Sequence, residues 1–410
     1  IIFYRLLFYF KPQCSTAPIL RVQIMKINRL RKILIAISIA CLSISLSFGE
    51  KKVTQESLHI KIDSAVEALM DQYDIPGMAL GIVDADQVYF LNYGISNKKT
   101  TSPVTENTIF ELGSISKTFT ALLASYAVEK GAIDLSDLVS QHVPTLKNSP
   151  IGQVSLVQLG TYIAGGLPLQ FPSDVMSSDE INHYFESWHP IFPAGEERLY
   201  SNPSIGFFGN IAALSMNVSF ADLMEKTILD KLGLKDTFIT VPQDKLAQYA
   251  YGYNKNNDPV RVNPGALDAE AYGIKSTAKD MVRFIQNNLQ MIALDETMED
   301  AIKGTHKGQY SVSTFTQALG WEKYPLSSSL DELLQGNSSE VILNPQPILF
   351  ENMLDTESVW VNKTGSTGGF GAYIVFIPEK KVGIIILANK NYPNSERVKL
   401  AYDILSILTD

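Results

Sequence analysis

Thiols are almost missing from this chain. Its two cysteines, Cys14 and Cys41, both lie in the first 41 of 410 residues. If that leader is removed on maturation, no cysteine remains, which excludes disulfides, cysteine metal sites and thiol catalysis. A domain of the remaining length buries enough apolar surface to manage without such staples. Histidine is scarce too. His59, His142, His183, His189 and His306 show no metal-ligand spacing, so no metal is expected and a zinc hydrolase is disfavoured. No G-x-S-x-G stretch occurs, which argues against the nucleophile elbow of an α/β-hydrolase esterase. Internal repeats and low-complexity tracts are also lacking.

Positive charge is short outside the leader. The first 49 residues hold seven of the 34 Lys and Arg and no acid, leaving 27 basic against 43 acidic residues, a formal charge of −16. So acidic a chain is a poor partner for nucleic acid or anionic lipid. The leader itself is ordered as export signals are. Basic Met25–Lys32 precedes an almost wholly apolar or serine run, Ile33–Phe48, then small Ser47 and Gly49 and the charged Glu50-Lys51-Lys52. Residues 25–49 therefore read as a signal peptide, with no stable membrane association after cleavage. A membrane anchor is the alternative, but the run is short for a span. Lipidation at Cys41 is disfavoured because the apolar run continues past it. Residues 1–24, upstream of Met25, read as sequence outside the native protein.

Past the leader, Leu58, Ile62, Val66, Leu69 and Met70 recur at helical spacing until Ile75-Pro76-Gly77. Met78–Val83 and Val88–Tyr93 read as strands about Asp84-Ala85-Asp86. Ala372–Ile377 and Val382–Leu387 read as a hairpin, followed by a helix with Val398, Ala401, Leu405 and Leu408 on one stripe. The pattern implies an α/β (α+β) fold: a mostly antiparallel sheet built from both chain ends and flanked by helices, with a mainly helical insertion. The expected division is 50–125 with 255–410 as the sheet domain and 126–254 as the helical one, the active site between them. Ser327–Ser339 reads as a serine- and leucine-rich loop.

Three short motifs carry chemistry. In F-E-L-G-S-I-S-K-T-F (110–119), Gly113 leads into an expected helix at about 115–130, whose N-terminus would carry Ser114. Exposed N–H groups there favour developing negative charge, and Lys117, three residues on, shares the face of Ser114. Alone this is weak, since Ser96–Lys99 and Ser276–Lys279 have the same spacing and a capping serine with a solvated lysine would look alike. Tyr200-Ser201-Asn202 places a phenol and an amide on one side of an extended loop; a surface turn is the bland reading, and Tyr392-Pro393-Asn394 repeats the pattern. Lys363-Thr364-Gly365 occurs once and leads into a strong strand. Its glycine would let a ligand approach an edge, or the edge could donate one oxyanion-hole N–H beside that of Ser114. A plain bulged hairpin is the competing account.

Taken in order on one exported chain, S-x-x-K, Y-x-N and K-T-G resemble the penicillin-recognising serine hydrolases. The surrounding text, T-Y-I-A-G-G-L-P-L-Q, D-A-E-A-Y-G-I-K-S, K-T-G-S-T-G-G-F-G-A-Y-I-V-F-I-P-E-K and I-L-A-N-K-N-Y-P-N-S-E-R-V, is similar to class C (AmpC-type) β-lactamases from about Ser57 to Leu408. The resemblance implies hydrolysis of cephalosporins and penicillins through a serine acyl-enzyme, no cofactor, a monomer, and the periplasm of a Gram-negative bacterium. It implies Ser114 as nucleophile, Lys117 holding the proton network, Asn202 orienting Lys117 and the substrate amide, Tyr200 passing protons, and Lys363 beside Tyr200. Two ammonium groups would favour a phenolate while burial opposes it, so a neutral Lys117 or a substrate-borne base stays open. For substrate binding it implies Gln170 and Asn202 near the acyl side chain, Tyr272 as a wall, and Thr364, Asn394 and Arg397 facing the carboxylate, with Gly365, Ser366 and Asn391 also in the binding set. Asn394 as a helix cap and Arg397 as a surface residue are the plainer readings. The chain departs from the family at Asn362, where histidine is common, and at Ser366, where alanine is. A D-alanyl carboxypeptidase or esterase of the same superfamily, or a penicillin-binding sensor that does not turn over, are the rivals.

Overall fold

Continuous apolar runs on this chain form strands buried on both faces. The computed structural model describes residues 55–351, 353–354 and 356–409; the expected leader segments, 1–24 and 25–49, lie outside them. Helix α1 (Gln55–Tyr73) is followed by β1 (Gly77–Asp84), β2 (Gln87–Asn97), β3 (Ser102–Pro103), β4 (Ile109–Glu111) and α2 (Ser116–Glu129). Then come β5 (Glu197–Arg198), α3 (Asn202–Ser215), α4 (Asp268–Ala271), β6 (Lys275–Thr277), α5 (Ala278–Asn288) and α6 (Glu296–His306). The chain returns through β7 (Gly308–Val312), β8 (Phe315–Ala318), β9 (Glu322–Pro325), α7 (Leu330–Gly336), α8 (Ser339–Leu343) and β10 (Gln346–Leu349). It closes with β11 (Val359–Ser366), β12 (Gly371–Ile377), β13 (Val382–Ala388) and α9 (Asn394–Thr409).

Eleven strands make one antiparallel sheet in the order β3-β2-β1-β13-β12-β11-β9-β8-β7-β10-β5. The first and last strands of the described residues are therefore neighbours inside the sheet, β1 pairing with β13 from Met78↔Ala388 to Asp84↔Val382. Every residue of β12 and β13 is buried, so alternate side chains feed opposite cores. Tyr373 and Val375 pack with Ile62 and Val66 of α1 and with Val398, Ala401 and Leu405 of α9. On the other face Ile374 and Phe376 join Phe119 and Leu123 of α2, Phe208 of α3 and Phe284 of α5. That second core runs unbroken from the sheet to Ile228 and Leu232, so residues 126–254 share a core with it. Among the described residues no single helix is long and apolar enough to cross a membrane.

Two expectations are corrected. Ser327–Ser339 is largely helical, not a loop: Ser329 caps α7, with Ser329 N–H donating to Glu332 Oε2 (2.8 Å) in a reciprocal capping box. Tyr200-Ser201-Asn202 is not an extended loop throughout, because Ser201 caps α3 by accepting from Ser204 N–H (3.1 Å) and Asn202 already lies in the helix.

Candidate active site

Leu112 N–H donates to Ile274 O (3.0 Å), carrying β4 past the end of β6. Gly113 then takes φ +54°, a left-handed conformation that bends the chain into a tight turn ahead of α2. Ser114 sits in that turn, and Lys117 Nζ donates to its Oγ (3.1 Å) and to Ala271 O of α4 (2.7 Å). The lysine is fully buried. Burial pushes its ammonium below the ordinary lysine range; the Tyr200 phenol partly counters this and the Lys363 charge adds to it.

The Tyr200 ring lies between two ammonium groups, Lys117 Nζ 4.9 Å and Lys363 Nζ 5.1 Å from its centroid. Tyr162 packs against it at 4.8 Å, and the Arg198 guanidinium stands 5.6 Å from it. The buried Tyr200 hydroxyl closes no hydrogen bond of full geometry, though Ser114 and Lys117 are near enough for their dipoles to act on it. Burial alone raises this phenol. The Lys117 and Lys363 charges, helped by those dipoles, outweigh burial, and the net result lies below the ordinary tyrosine range. Asn202 Oδ1 is likewise buried without a hydrogen-bond partner, so the expected orientation of Lys117 by Asn202 is not seen; Ala271 O holds that ammonium instead.

Strand β11 pairs with β12 along Val361–Ser366 but with β9 only along Val359–Asn362. Lys363–Ser366 thus runs beyond β9 and is a local edge. A Cβ on Gly365 would lie 2.0 Å from Leu112 O, and one on Gly113 2.4 Å from Ser366 N. Only glycine at both positions lets the backbone at Ser366 lie against the backbone leading into Ser114. Asn362 is fully buried, its Nδ2 donating to Glu322 O (3.2 Å). Lys363 Nζ stands 3.7 Å from Glu322 Oε1, which also pairs with Arg198 at 3.5 Å.

A cavity of about 370 Å³ opens between these elements. Ser114, Gln170, Tyr200, Asn202, Tyr272, Lys363, Thr364, Gly365, Ser366 and Asn394 all line it, with Lys117 buried beneath. Asn391 and Arg397 do not. Arg397 is fully buried and donates to Gly365 O (2.7 Å), Ser366 Oγ (2.9 Å), Tyr392 O and Asn391 Oδ1 (2.8 Å). It is neither the surface residue of the plainer reading nor a lining residue; it braces the strand from behind. Asn391 lines an adjoining hollow that meets the cavity at Ser366 and Asn394. Leu169, Val262, Ile342, Leu343 and Thr367 also line the cavity and were not anticipated, nor were Arg198 and Glu322. The only sequence sign of Arg198 was a cation two residues before Tyr200.

A model of the β-lactamase family matches residues 62–409. The chain belongs to that family. It is 49% identical over 349 residues to a β-lactamase of Pseudomonas fluorescens, covering 85% of this chain and 98% of that one. A crystal structure of a class C β-lactamase in complex with cefoxitin superposes with a TM-score of 0.83 at 42% identity, covering 86% and 99% of the two chains. A β-lactamase/D-alanine carboxypeptidase from Pseudomonas syringae gives 0.83 at 43%, covering 85% and 99%. Within its family, then, the protein is a class C β-lactamase.

Proposed function

We propose that the protein hydrolyses β-lactam antibiotics through an acyl-enzyme on Ser114. The observation that supports this most is one cavity wall holding Ser114 Oγ 3.1 Å from Lys117 Nζ, with Tyr200 flanked by both ammonium groups. Ser114 Oγ attacks the lactam carbonyl as its proton passes to Tyr200, whose phenolate form is favoured by the Lys117 and Lys363 charges. The N–H groups of Ser114 and Ser366 face the developing oxyanion. Tyr200 hands the proton to the departing ring nitrogen as the C–N bond breaks. It then takes a proton from the water that attacks the ester and returns it to Ser114 Oγ as the acyl C–O bond breaks, releasing the acid. Lys117, fixed on Ala271 O, holds Nζ beside Ser114 Oγ and over the Tyr200 ring throughout.

Asn202 and Gln170 receive the amide of the substrate's acyl side chain, with Tyr272 as a wall. Lys363, Thr364 and Asn394 face its carboxylate. Arg397 acts through Gly365 and Ser366, and Asn391 through Arg397. No cofactor is needed for these steps. In the same reading residues 25–49 direct export to a Gram-negative periplasm, where the chain works as a monomer.

Mixing the purified protein with excess nitrocefin tests the reading. Many turnovers per protein are expected. One stoichiometric burst would make it a penicillin-binding sensor instead. Cleavage of a D-Ala-D-Ala peptide without lactam turnover would favour the carboxypeptidase reading that the Pseudomonas syringae relative keeps in view.

A further inference from the structure

Three residues before Ser114, Glu111 ends strand β4 with a side chain only 1% exposed. A buried carboxylate is costly unless donors satisfy it, and here three neutral donors do so. Tyr249 Oη and Val262 N–H both donate to Oε1 at 2.7 Å, and Thr367 Oγ1 donates to Oε2 at 2.6 Å. The donors come from separate stretches of chain. Val262 and Thr367 both line the cavity, on its wall and in the turn between β11 and β12. Thr367 directly follows Ser366, and its own N–H closes that turn onto Phe370 O (3.1 Å). One carboxylate, rigidly attached to the strand that leads into Ser114, therefore reaches across to the turn next to Ser366.

We infer that Glu111 is a positioning residue, tying the turn beyond Ser366 and the wall at Val262 to the strand entering Ser114, so that the Ser114 and Ser366 N–H groups keep a fixed separation. The inference rests on the proposed roles of those two N–H groups. Glu111 does not touch the reacting atoms; it acts through Thr367 and Val262. A glutamate kept only for stability would serve all three donors alike, whereas a positioning residue makes the Thr367 arm matter to turnover and the Tyr249 arm matter to stability alone.

The test uses the purified full-length protein with nitrocefin as probe. Thr367→Val removes one arm and leaves two; kcat/KM is expected to fall about tenfold, through kcat more than KM. Thr367→Ser keeps the hydroxyl and is expected to stay within about twofold of the parent, a bound set by ordinary surface substitutions. Tyr249→Phe, which deletes an arm outside the cavity, is expected to lower Tm with kcat/KM unchanged. In a double-mutant cycle the losses of Thr367→Val and Glu111→Gln are expected to be non-additive. Amide exchange over residues 366–370 is expected to quicken in Thr367→Val and not in Thr367→Ser. Unchanged exchange in Thr367→Val, serine as impaired as valine, or simple additivity would overturn the inference. Persistent turnover in Ser114→Ala would sink the catalytic reading instead, and the exchange measurement would still decide whether Glu111 holds the turn.

Discussion

Helix α3 has a cavity-lining amide, Asn202, at its first residue and a serine–histidine–aspartate trio at its last. His142 Nδ1 lies 2.9 Å from Ser215 Oγ, and His142 Nε2 2.8 Å from Asp137 Oδ2. Counted by parts, that trio is better equipped for nucleophilic catalysis than Ser114, which has only a lysine at 3.1 Å. Surroundings reverse the ranking. Ser215 Oγ donates to Ile211 O (2.9 Å) one turn back, so its proton is committed to a backbone carbonyl. It stands at a helix C-terminus, where the macrodipole opposes an alkoxide. The following N–H groups of Met216 and Asn217 turn back onto Ala213 O and Leu214 O, so neither is free to receive an oxyanion. Ser114 instead precedes a helix N-terminus, its approach cleared by Gly113 and Gly365 and its field set by two ammonium groups. A serine next to a base is common; a serine whose surroundings favour negative charge is not.

The sharpest way to break this comparison is to exchange the two serines' importance by mutation. Ser114→Ala is expected to reduce kcat/KM for nitrocefin at least about a thousandfold, as loss of a nucleophile does elsewhere. Tyr200→Phe comes next, with a loss of roughly 10²–10⁴-fold in the pre-steady-state acylation rate, the range for general acid–base groups. Near-normal acylation would remove the phenol from the mechanism.

Lys363→Met gives a smaller effect with a defined sign. The Lys363 charge favours the Tyr200 phenolate, so its loss raises the pKa of Tyr200. The acid limb of the kcat/KM profile, which tracks formation of the phenolate as pH rises, is then expected to move to higher pH. A limb that stays in place or moves down would show that Lys363 does not set the charge on Tyr200. Smallest of all, Ser215→Ala is expected to leave kcat/KM within about twofold, as a distant substitution does. Its cost falls on stability, about 1–2 kcal/mol by urea titration for the two hydrogen bonds lost. A tenfold loss of turnover there would mean that the trio matters after all.

The same contrast explains how much could be read from the sequence. Ser114 and Lys117 were legible because three residues place them on one turn, and β12 and β13 because their long apolar runs admit few other structures. Strands β7, β8 and β9 were not read: each is four or five residues long, and their buried faces include Gln317 and Glu322, whose partners Arg198 and Lys363 are remote in sequence. The S-x-x-E signal of Ser329 and Glu332 was present in the chain and hidden by the serine-rich composition around it. Arg397 looked like a first-turn surface cation because helix position says nothing of what packs on it; only folding puts Gly365 O within 2.7 Å. Glu111 stood in the quoted motif, yet its three donors lie 138, 151 and 256 residues away. Local pattern reveals the nucleophile, and non-local contacts reveal what makes it reactive.

Trapping the covalent intermediate tests that distinction most directly. The purified protein is quenched in acid during turnover of a slowly hydrolysed cephalosporin, digested, and its peptides weighed by mass spectrometry. An acyl group on the peptide carrying Ser114, with the peptide carrying Ser215 unmodified, is the expected result. An acyl group on Ser215, or turnover with Ser114 never acylated, would contradict the account.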